Sequence, residues 1–244
     1  MRSSSLIRFA GLVLPAVMSF SQLPPTSVVG VNVRIHSKPQ AREKCIQLLD
    51  ADAMGSREEP NCLQFVFGQD TDTENVFHIH EQYKTMADFE RHQQNEYFKA
   101  VVDFVSSSDN IEDDGFHIDV FSCYNEDNAV VPPRDAYCLN VALYIKPEHQ
   151  EEFFNVIDNN MKGTRSTEPL GLQYDWGEHL EEPNSFHFHE EYKGGDEGKE
   201  GFNAHAKAPH FGVWEKFVSD RDPFTKPPVV SFFRTSSAKM TMKK

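Results

Sequence analysis

The sequence is poor in cysteine, in basic residues and in long apolar runs, and each shortage excludes a class of protein. Four Cys in 244 residues are too few for a disulfide-stabilised scaffold, and without a C-x-x-C pair they do not indicate a zinc ribbon. The 24 Lys and Arg are outnumbered by 38 Asp and Glu, which gives a net charge of −14. Such a surface repels the phosphates of nucleic acids and anionic membranes, so neither is an expected partner. An apolar content of 39% with 20 Phe is still enough for a folded core.

The first 27 residues differ from the rest of the chain. They begin with two Arg and no acid, and Phe9–Phe20 is an apolar run too short to cross a bilayer but suited to the core of a secretory signal peptide. Val17 and Ser19 suit cleavage before Phe20. We therefore predict a targeting peptide and leader over residues 1–27, entry into the secretory pathway, and no membrane segment after cleavage. Two destinations stay open. One is secretion, and the other is the plastid of an alga with a complex plastid, because the presequences of such plastids also place Phe after the cleavage site.

The rest of the chain contains one unit twice. The clearest copies are FHIHEQYK at Phe77–Lys84 and FHFHEEYK at Phe186–Lys193, which lie 109 residues apart. Lys-Pro pairs and Glu-Pro pairs recur at nearly the same offset, and chance does not hold identities in so constant a register. The predicted organisation is a first repeat at 28–125, a linker at 126–136, a second repeat at 137–236 and a basic tail at 237–244.

Each repeat predicts the order β-α-β-β-α-β of a ferredoxin-like unit. A β-rich strand precedes a Lys-Pro helix start, two more strands follow, and Thr85 with Asp88 forms a capping box for a second helix that runs to about Val105. One such unit leaves one face of its sheet uncovered. Two copies therefore predict an α+β fold in which the sheets pack on each other as an intramolecular α/β barrel. The expected state is a monomer, and further assembly stays open.

The run from the third strand into the second helix carries a resemblance to a known family. The pattern F-x-I-x-E-x-Y followed by F-x-x-H, with HAKAPHF at His205–Phe211, resembles the signature of the antibiotic biosynthesis monooxygenases, which are dimeric α/β-barrel proteins. The resemblance covers about residues 29–124 and 137–235. It implies oxidation of a phenol or quinol by O₂ without metal or flavin. The implied partners are thus a small aromatic substrate and O₂, with no cofactor.

The same resemblance implies a site on one face of the third strand. Strand alternation places Phe77, Glu81 and Tyr83 together, and the resemblance implies that this face meets the helices and lines the substrate gap. A base would deprotonate the substrate to the electron-rich anion, and neutral donors would form hydrogen bonds to its oxygen. Phe side chains would exclude water from the site. The implied catalytic residues are His92, Glu81, His205 and Glu190, and the implied substrate-binding residues are Asn32, Tyr83, Asn140 and Tyr192.

Two alternatives to this interpretation stay open. One is a non-catalytic small-molecule or stress-related binding protein that uses the same pocket, because such His and Glu side chains are also common as packing and salt-bridge residues. The other is a metal site on the opposite face of the third strands, where histidines at i and i+2 can share one ion. No carboxylate on the same strand face completes either pair. The candidate ligands are His78, His80, His187 and His189.

The cysteines are absent from the duplicated pattern, which argues against a role in a shared mechanism. Cys123 and Cys138 flank the linker. They are either a disulfide in an oxidising compartment or two buried free thiols.

Overall fold

The computed structural model describes residues 28–124, 136–195 and 198–235, together with two short strands at Arg8–Phe9 and Leu12–Val13. Apart from those two strands, the predicted targeting peptide lies outside the described residues, as do the basic tail and nearly all of the predicted linker. Within the described chain, no helix is both long and apolar enough to cross a bilayer.

Each half contains four strands and three helices in the same order. The first half consists of β1 (Val29–Ser37), α1 (Arg42–Ser56), β2 (Cys62–Asp70), β3 (Val76–Tyr83), α2 (Met86–His92), α3 (Glu96–Val105) and β4 (Ile111–Cys123). The second half consists of β5 (Tyr137–Tyr144), α4 (Gln150–Thr167), β6 (Gly171–His179), β7 (Ser185–Tyr192), α5 (Glu200–His205), α6 (Pro209–Arg221) and β8 (Val229–Thr235). A single 3-10 turn, Pro39–Ala41 or Pro147–His149, precedes α1 and α4.

The second helix of each repeat is split in two, which the sequence pattern did not predict. The break falls before Glu96 in one half and before Pro209 in the other. Ala208 is extended because the ring of the following Pro disfavours the helical conformation of the residue before it. Asn95 adopts the same extended conformation as the N-cap of α3. The break leaves His92 and His205 at the ends of α2 and α5.

The eight longer strands close into one antiparallel barrel in the order β8-β2-β3-β1-β4-β6-β7-β5. The last strand of each half pairs with the second strand of the other half, so that β4 joins β6 and β8 joins β2. The two sheets are thus continuous through hydrogen bonds. The predicted α+β fold with an intramolecular α/β barrel is confirmed.

The outer face of the barrel is apolar and is covered by helices. In each half this face packs against the helices and forms a separate hydrophobic core. Full burial of a large apolar side chain contributes about 1.5–3 kcal/mol, so these cores hold the helices on the sheet. Central core residues are Leu49, Phe65 and Ile79 in the first half and Phe153, Trp176 and Phe188 in the second.

The interior of the barrel is polar, and its hydrogen bonds join the two halves. The rings of His80 and His189 stack with their centroids 3.8 Å apart. Asn32 Nδ2 donates to the carbonyl oxygen of Phe188 at 3.0 Å, and Asn140 Nδ2 donates to that of Ile79 at 3.2 Å. Buried amides and carbonyls are costly unless they are paired, so these bonds favour one relative placement of the halves.

Cys123 in the first half and Cys138 in the second half do not form a disulfide bond. Cys123 and Cys138 are both buried free thiols, as in the second of the two alternatives drawn from the sequence.

Replacing Asn32 by Ala tests this interior network. The change removes the donor to Phe188 and the acceptor of His80 Nδ1, which lies 2.7 Å from Asn32 Oδ1. The buried Nδ1 of His80 then lacks its partner and the Phe188 carbonyl loses a donor, so the free energy of unfolding falls by about 2–4 kcal/mol in urea denaturation. Asn159→Ala, an exposed change on α4, is the control and leaves stability nearly unchanged. Equal stability of Asn32→Ala and the control would contradict the network.

Candidate active site

The Glu/Tyr face of the third strand meets the helices, as the resemblance implied. Tyr83 donates its hydroxyl proton to Glu81 Oε2 at 2.7 Å, and Tyr192 donates to Glu190 Oε2 at 2.6 Å. Thr85 lies two residues after the end of β3, and its side chain accepts the N–H of Asp88 to cap α2. The short helix α2 then places its last residue, His92, beside Glu81 and Tyr83.

His92 is held by one nitrogen and presents the other. Its Nδ1 atom lies 2.8 Å from Glu59 Oε1, whereas Nε2 lies 3.8 Å from Glu81 Oε2 and 3.9 Å from Asp52 Oδ1. The ring is fully buried, and Nε2 has no hydrogen-bond partner among the described residues. A carboxylate on Nδ1 fixes the proton there and leaves a lone pair on Nε2. This is the arrangement of a buried general base.

The carboxyl groups beside His92 hold their protons unusually strongly. Burial, and then the nearby charge of Asp52, raises the pKa of Glu81 to about 8. Burial is also the main cause that raises the pKa of Asp52 to about 7, with Glu59 adding to it. Burial and the Glu81 charge likewise raise the pKa of Tyr83 well above its usual value. Near neutral pH, this side of the cluster therefore offers neutral O–H donors.

The second half repeats the cluster with different partners. His205 Nδ1 lies 2.9 Å from Glu168 Oε1, and His210 Nε2 lies 2.5 Å from the same oxygen. Burial alone would lower the pKa of His205, but the hydrogen bond to Glu168 and the charge of Glu190 outweigh it and raise the pKa. In His92, burial prevails over Glu59 and the pKa is lowered. At neutral pH, a larger fraction of His92 than of His205 is therefore unprotonated and free to accept a proton.

Two substitutions between the repeats accompany this difference. Asn160 stands where the first half has Asp52, and His210 stands where it has Tyr97. Tyr97 donates its hydroxyl to Glu59 at 2.6 Å, whereas His210 adds a second imidazole to Glu168. The clusters are related by duplication but are not chemically equivalent.

Aromatic rings pack directly around His92. The sequence led us to expect Phe side chains as the walls of an apolar chamber, but here they contact the imidazole. Ring-to-ring centroid distances run from 5.0 to 6.4 Å. The space above the imidazole is therefore filled by side chains, and a substrate must displace some of them. The surrounding rings are those of Phe65, Tyr83, Phe89, Tyr97 and Phe98.

Asn32 and Asn140 do not join these clusters, so the expected convergence is wrong. Asn32 lies opposite His80 in the β1–β3 register, and its side chain therefore points into the barrel. Asn140 is placed in the same way opposite His189. Each cluster thus contains the predicted His, Glu and Tyr but lacks the predicted amide.

The four histidines of the metal alternative do not meet either. His80 and His189 stack at the centre, but His78 pairs with Asp70 at 2.8 Å. His187 lies instead against Asp119 of β4, with Nδ1 3.4 Å from Oδ2. Tertiary packing therefore does not bring all four histidines together. His78 lies beside Asp70, and His187 lies beside Asp119.

Sequence reasoning missed the carboxylates that hold the histidines. Glu59 contacts Nδ1 of His92, and Glu168 contacts Nδ1 of His205. Asp52 lies near Nε2 of His92. A signal was present, because Glu-Pro recurs at the constant offset as Glu59-Pro60 and Glu168-Pro169. Asp52 is not duplicated and left no such signal.

The fold and these paired clusters define a dimeric α/β-barrel protein with both halves on one chain. The sequence model of the antibiotic biosynthesis monooxygenase family matches residues 28–103 and 136–216. The chain therefore belongs to this family. No curated protein matches it by sequence.

Solved structures share the whole architecture at low sequence identity. A candidate monooxygenase from Lactobacillus acidophilus NCFM has a TM-score of 0.66 and 15% identity, with 86% of this chain and 94% of that chain covered. A candidate monooxygenase from Fusobacterium nucleatum subsp. nucleatum ATCC 25586 has a TM-score of 0.67 and 17% identity, with coverage of 86% and 93%. An anthrone oxidase-like protein has a TM-score of 0.55 and 14% identity, with coverage of 86% and 92%. At these identities the likeness supports the fold.

The raised pKa values of Glu81 and Asp52 predict a pH-dependent stability. Carboxyl groups in the unfolded chain titrate near pH 4, so Glu81 and Asp52 together bind more protons in the folded protein than in the unfolded chain up to about pH 8. The free energy of unfolding gains a contribution that is full below pH 4 and is lost as pH rises to about 8. Asp52→Asn/Glu81→Gln removes this contribution and flattens the profile by about 2–4 kcal/mol.

Urea denaturation at a series of pH values measures that profile. Glu43→Gln/Asp103→Asn, which removes two exposed carboxyl groups, is the matched control and keeps the slope of the unchanged protein. Identical slopes in the two double variants would contradict the assignment.

Proposed function

We propose that this protein is a cofactor-independent monooxygenase that oxidises a small phenolic or quinol-type aromatic with O₂. The observation that carries the proposal is His92, whose Nδ1 is fixed by Glu59 and whose buried Nε2 has no partner among the described residues. Membership of the monooxygenase family supports the reaction class. One structural neighbour is described as anthrone oxidase-like, which makes anthrone the first substrate to test.

The proposed reaction balances with O₂ as the only oxidant. Nε2 of His92 takes a proton from the activated carbon or hydroxyl of the aromatic, and the resulting anion passes one electron to O₂. The radical and superoxide combine through a carbon–oxygen bond, and the imidazolium returns its proton to the peroxide. The O–O bond then breaks with loss of the second carbon-bound hydrogen. One oxygen atom becomes the product carbonyl and the other leaves as water.

The residues around His92 suit the anion that this chemistry requires. Glu81 is protonated near neutral pH and Tyr83 keeps its proton, so both are neutral donors for a developing oxyanion. Neutral donors in a buried site stabilise an oxyanion without quenching its electron density through a full positive charge. The aromatic rings exclude water from the radical pair.

Access to His92 requires movement of the helix layer. Phe89 of α2 and Phe98 of α3 contact the imidazole from either side of the helix break. In the proposed mechanism, the short segment between these helices opens and the aromatic substrate replaces the Phe rings. His205 carries the same role in the second half, but its raised pKa leaves a smaller fraction of the ring unprotonated and able to accept a proton at neutral pH.

A binding protein without turnover is the second candidate function. The observation that favours it is a cavity of about 70 Å³ inside the barrel, which is already open while the space around His92 is filled. Its lining includes Asn32, Asn140 and Ser231, which suits a small polar ligand.

Oxygen uptake with anthrone, in the presence of a metal chelator, separates the two functions. We expect turnover that the chelator does not change. His92→Ala lowers the rate by about 100-fold or more, because loss of a general base costs 10²–10⁴-fold, and His205→Ala has a smaller effect. His92→Gln serves as a second variant, since its amide can still donate to Glu59 but cannot act as a base.

The control is His149→Ala, which changes a half-exposed histidine beside α4 and leaves the rate unchanged. Circular dichroism establishes that each variant is folded. Full activity in folded His92→Gln would overturn the base assignment. Absence of oxygen uptake with both anthrone and quinols in the folded, unchanged protein would overturn the proposed oxidation and favour the second candidate function.

A further inference from the structure

Three strands from both halves bring two imidazoles and a carboxylate together inside the barrel. Asp119 lies on β4, His179 at the end of β6 and His187 on β7. Asp119 Oδ2 is 3.4 Å from His187 Nδ1, and Asp119 Oδ1 is 4.0 Å from His179 Nε2. One donor atom from each residue lies within 4.8 Å of the others. This cluster is separate from the helix-facing clusters, because it lies on the opposite face of the sheet.

Imidazoles surround the carboxylate of Asp119, whose side chain is 17% exposed. His117 Nε2 pairs with Oδ1 at 3.1 Å, whereas Oδ2 faces Nδ1 of His187. No Lys or Arg of the described residues forms an ion pair with this carboxylate. The donor atoms of Asp119, His179 and His187 are thus close enough to one another to share one ion.

We infer that Asp119, His179 and His187 bind a first-row divalent transition-metal ion such as Zn²⁺. Two imidazoles with one carboxylate are a common ligand set for such ions, and the set leaves coordination positions open. Asp119 and His187 also line the barrel cavity of about 70 Å³, which has room for water and polar wall residues to hold it. The inference does not rest on the proposed oxidation, which uses the other face of the sheet.

Neighbouring side chains already orient two of the three ligands. His117 Nε2 lies 3.1 Å from Asp119 Oδ1, and Ser185 Oγ lies 3.1 Å from His187 Nε2. When Nε2–H of His187 donates to Ser185, the lone pair of Nδ1 faces Asp119 and the ion between them. Such outer partners fix the tautomer and direction of metal-binding side chains.

His179 needs a change of tautomer to act as the third ligand. Its Nδ1 accepts the backbone N–H groups of Glu181 at 3.1 Å and Glu182 at 3.0 Å, so the ring proton of the neutral form lies on Nε2. On metal binding, Nε2 loses its proton and Nδ1 gains one, so the ring charge does not change. The two amides of this exposed turn then bind water instead.

The opposite wall of the barrel lacks this ligand set. Duplication places Ser231, Asp70 and His78 at the positions of Asp119, His179 and His187. His78 pairs with Asp70 at 2.8 Å, and no second imidazole replaces His179 there. The barrel interior therefore offers one such site per chain, and His78 provides a matched control.

Titration of the intact, chelator-treated protein without a His-tag tests the site. Zn²⁺ is followed by calorimetry and Co²⁺ by its visible absorption, which reports the ligand geometry. We expect one equivalent of each ion. Asp119→Asn and His187→Gln weaken binding by more than roughly 100-fold, since changes to outer partners alone cost 10–100-fold. His78→Gln binds as tightly as the unchanged chain.

Contrary results are equally clear. Absence of stoichiometric Zn²⁺ and Co²⁺ binding by the unchanged protein would overturn the inference. So would equal affinity in folded Asp119→Asn, or equal losses in His78→Gln and His187→Gln. Because the readout is metal binding, failure here is distinct from failure of anthrone oxidation.

Discussion

Closure of the barrel between the two halves is the constraint on which the rest of the structure depends. The last strand of each half completes the sheet of the other, since β4 pairs with β6 and β8 with β2. A separate half would expose unpaired strand edges and the polar face that carries His80 or His189. Closure gives each of the eight barrel strands two neighbours and buries this face inside. It also leaves the apolar face outside, where the helices cover it.

The closed sheet keeps two kinds of chemistry apart. Its outer face holds carboxyl–imidazole clusters among aromatic rings, where burial keeps Glu81 protonated and His92 neutral. Its inner face holds amides and imidazoles that bond across the halves, with a cavity at one side. Period-two alternation along each strand produces this division, because neighbouring residues face opposite ways. The proposed aromatic oxidation on one face and the inferred metal site on the other therefore use different side chains.

The sequence predicted the parts of the structure that depend on local pattern. Duplication of FHIHEQYK identified two ferredoxin-like units, and the same segments placed Glu81 beside the histidine that ends α2. The position of Asn32 could also have been predicted, since alternation in VGVNVRI puts it opposite the apolar Val side of β1. The proximity of Asp119 to His187 could not have been predicted from the sequence, because it depends on how β4 pairs with the second half. Long-range register of this kind leaves no local signal.

Native-state hydrogen exchange is the most direct measurement of this closure. The Leu180 amide donates to the carbonyl of Val120 across the β4–β6 junction, and the Thr71 amide donates to Phe232 across the β2–β8 junction. One closed barrel predicts that amides in both junctions exchange only with global unfolding, at the same free energy as amides in the β1–β3 ladder within the first half. Exchange of the junction amides through a much smaller opening, while the β1–β3 ladder stays protected, would show two independent halves and contradict the account.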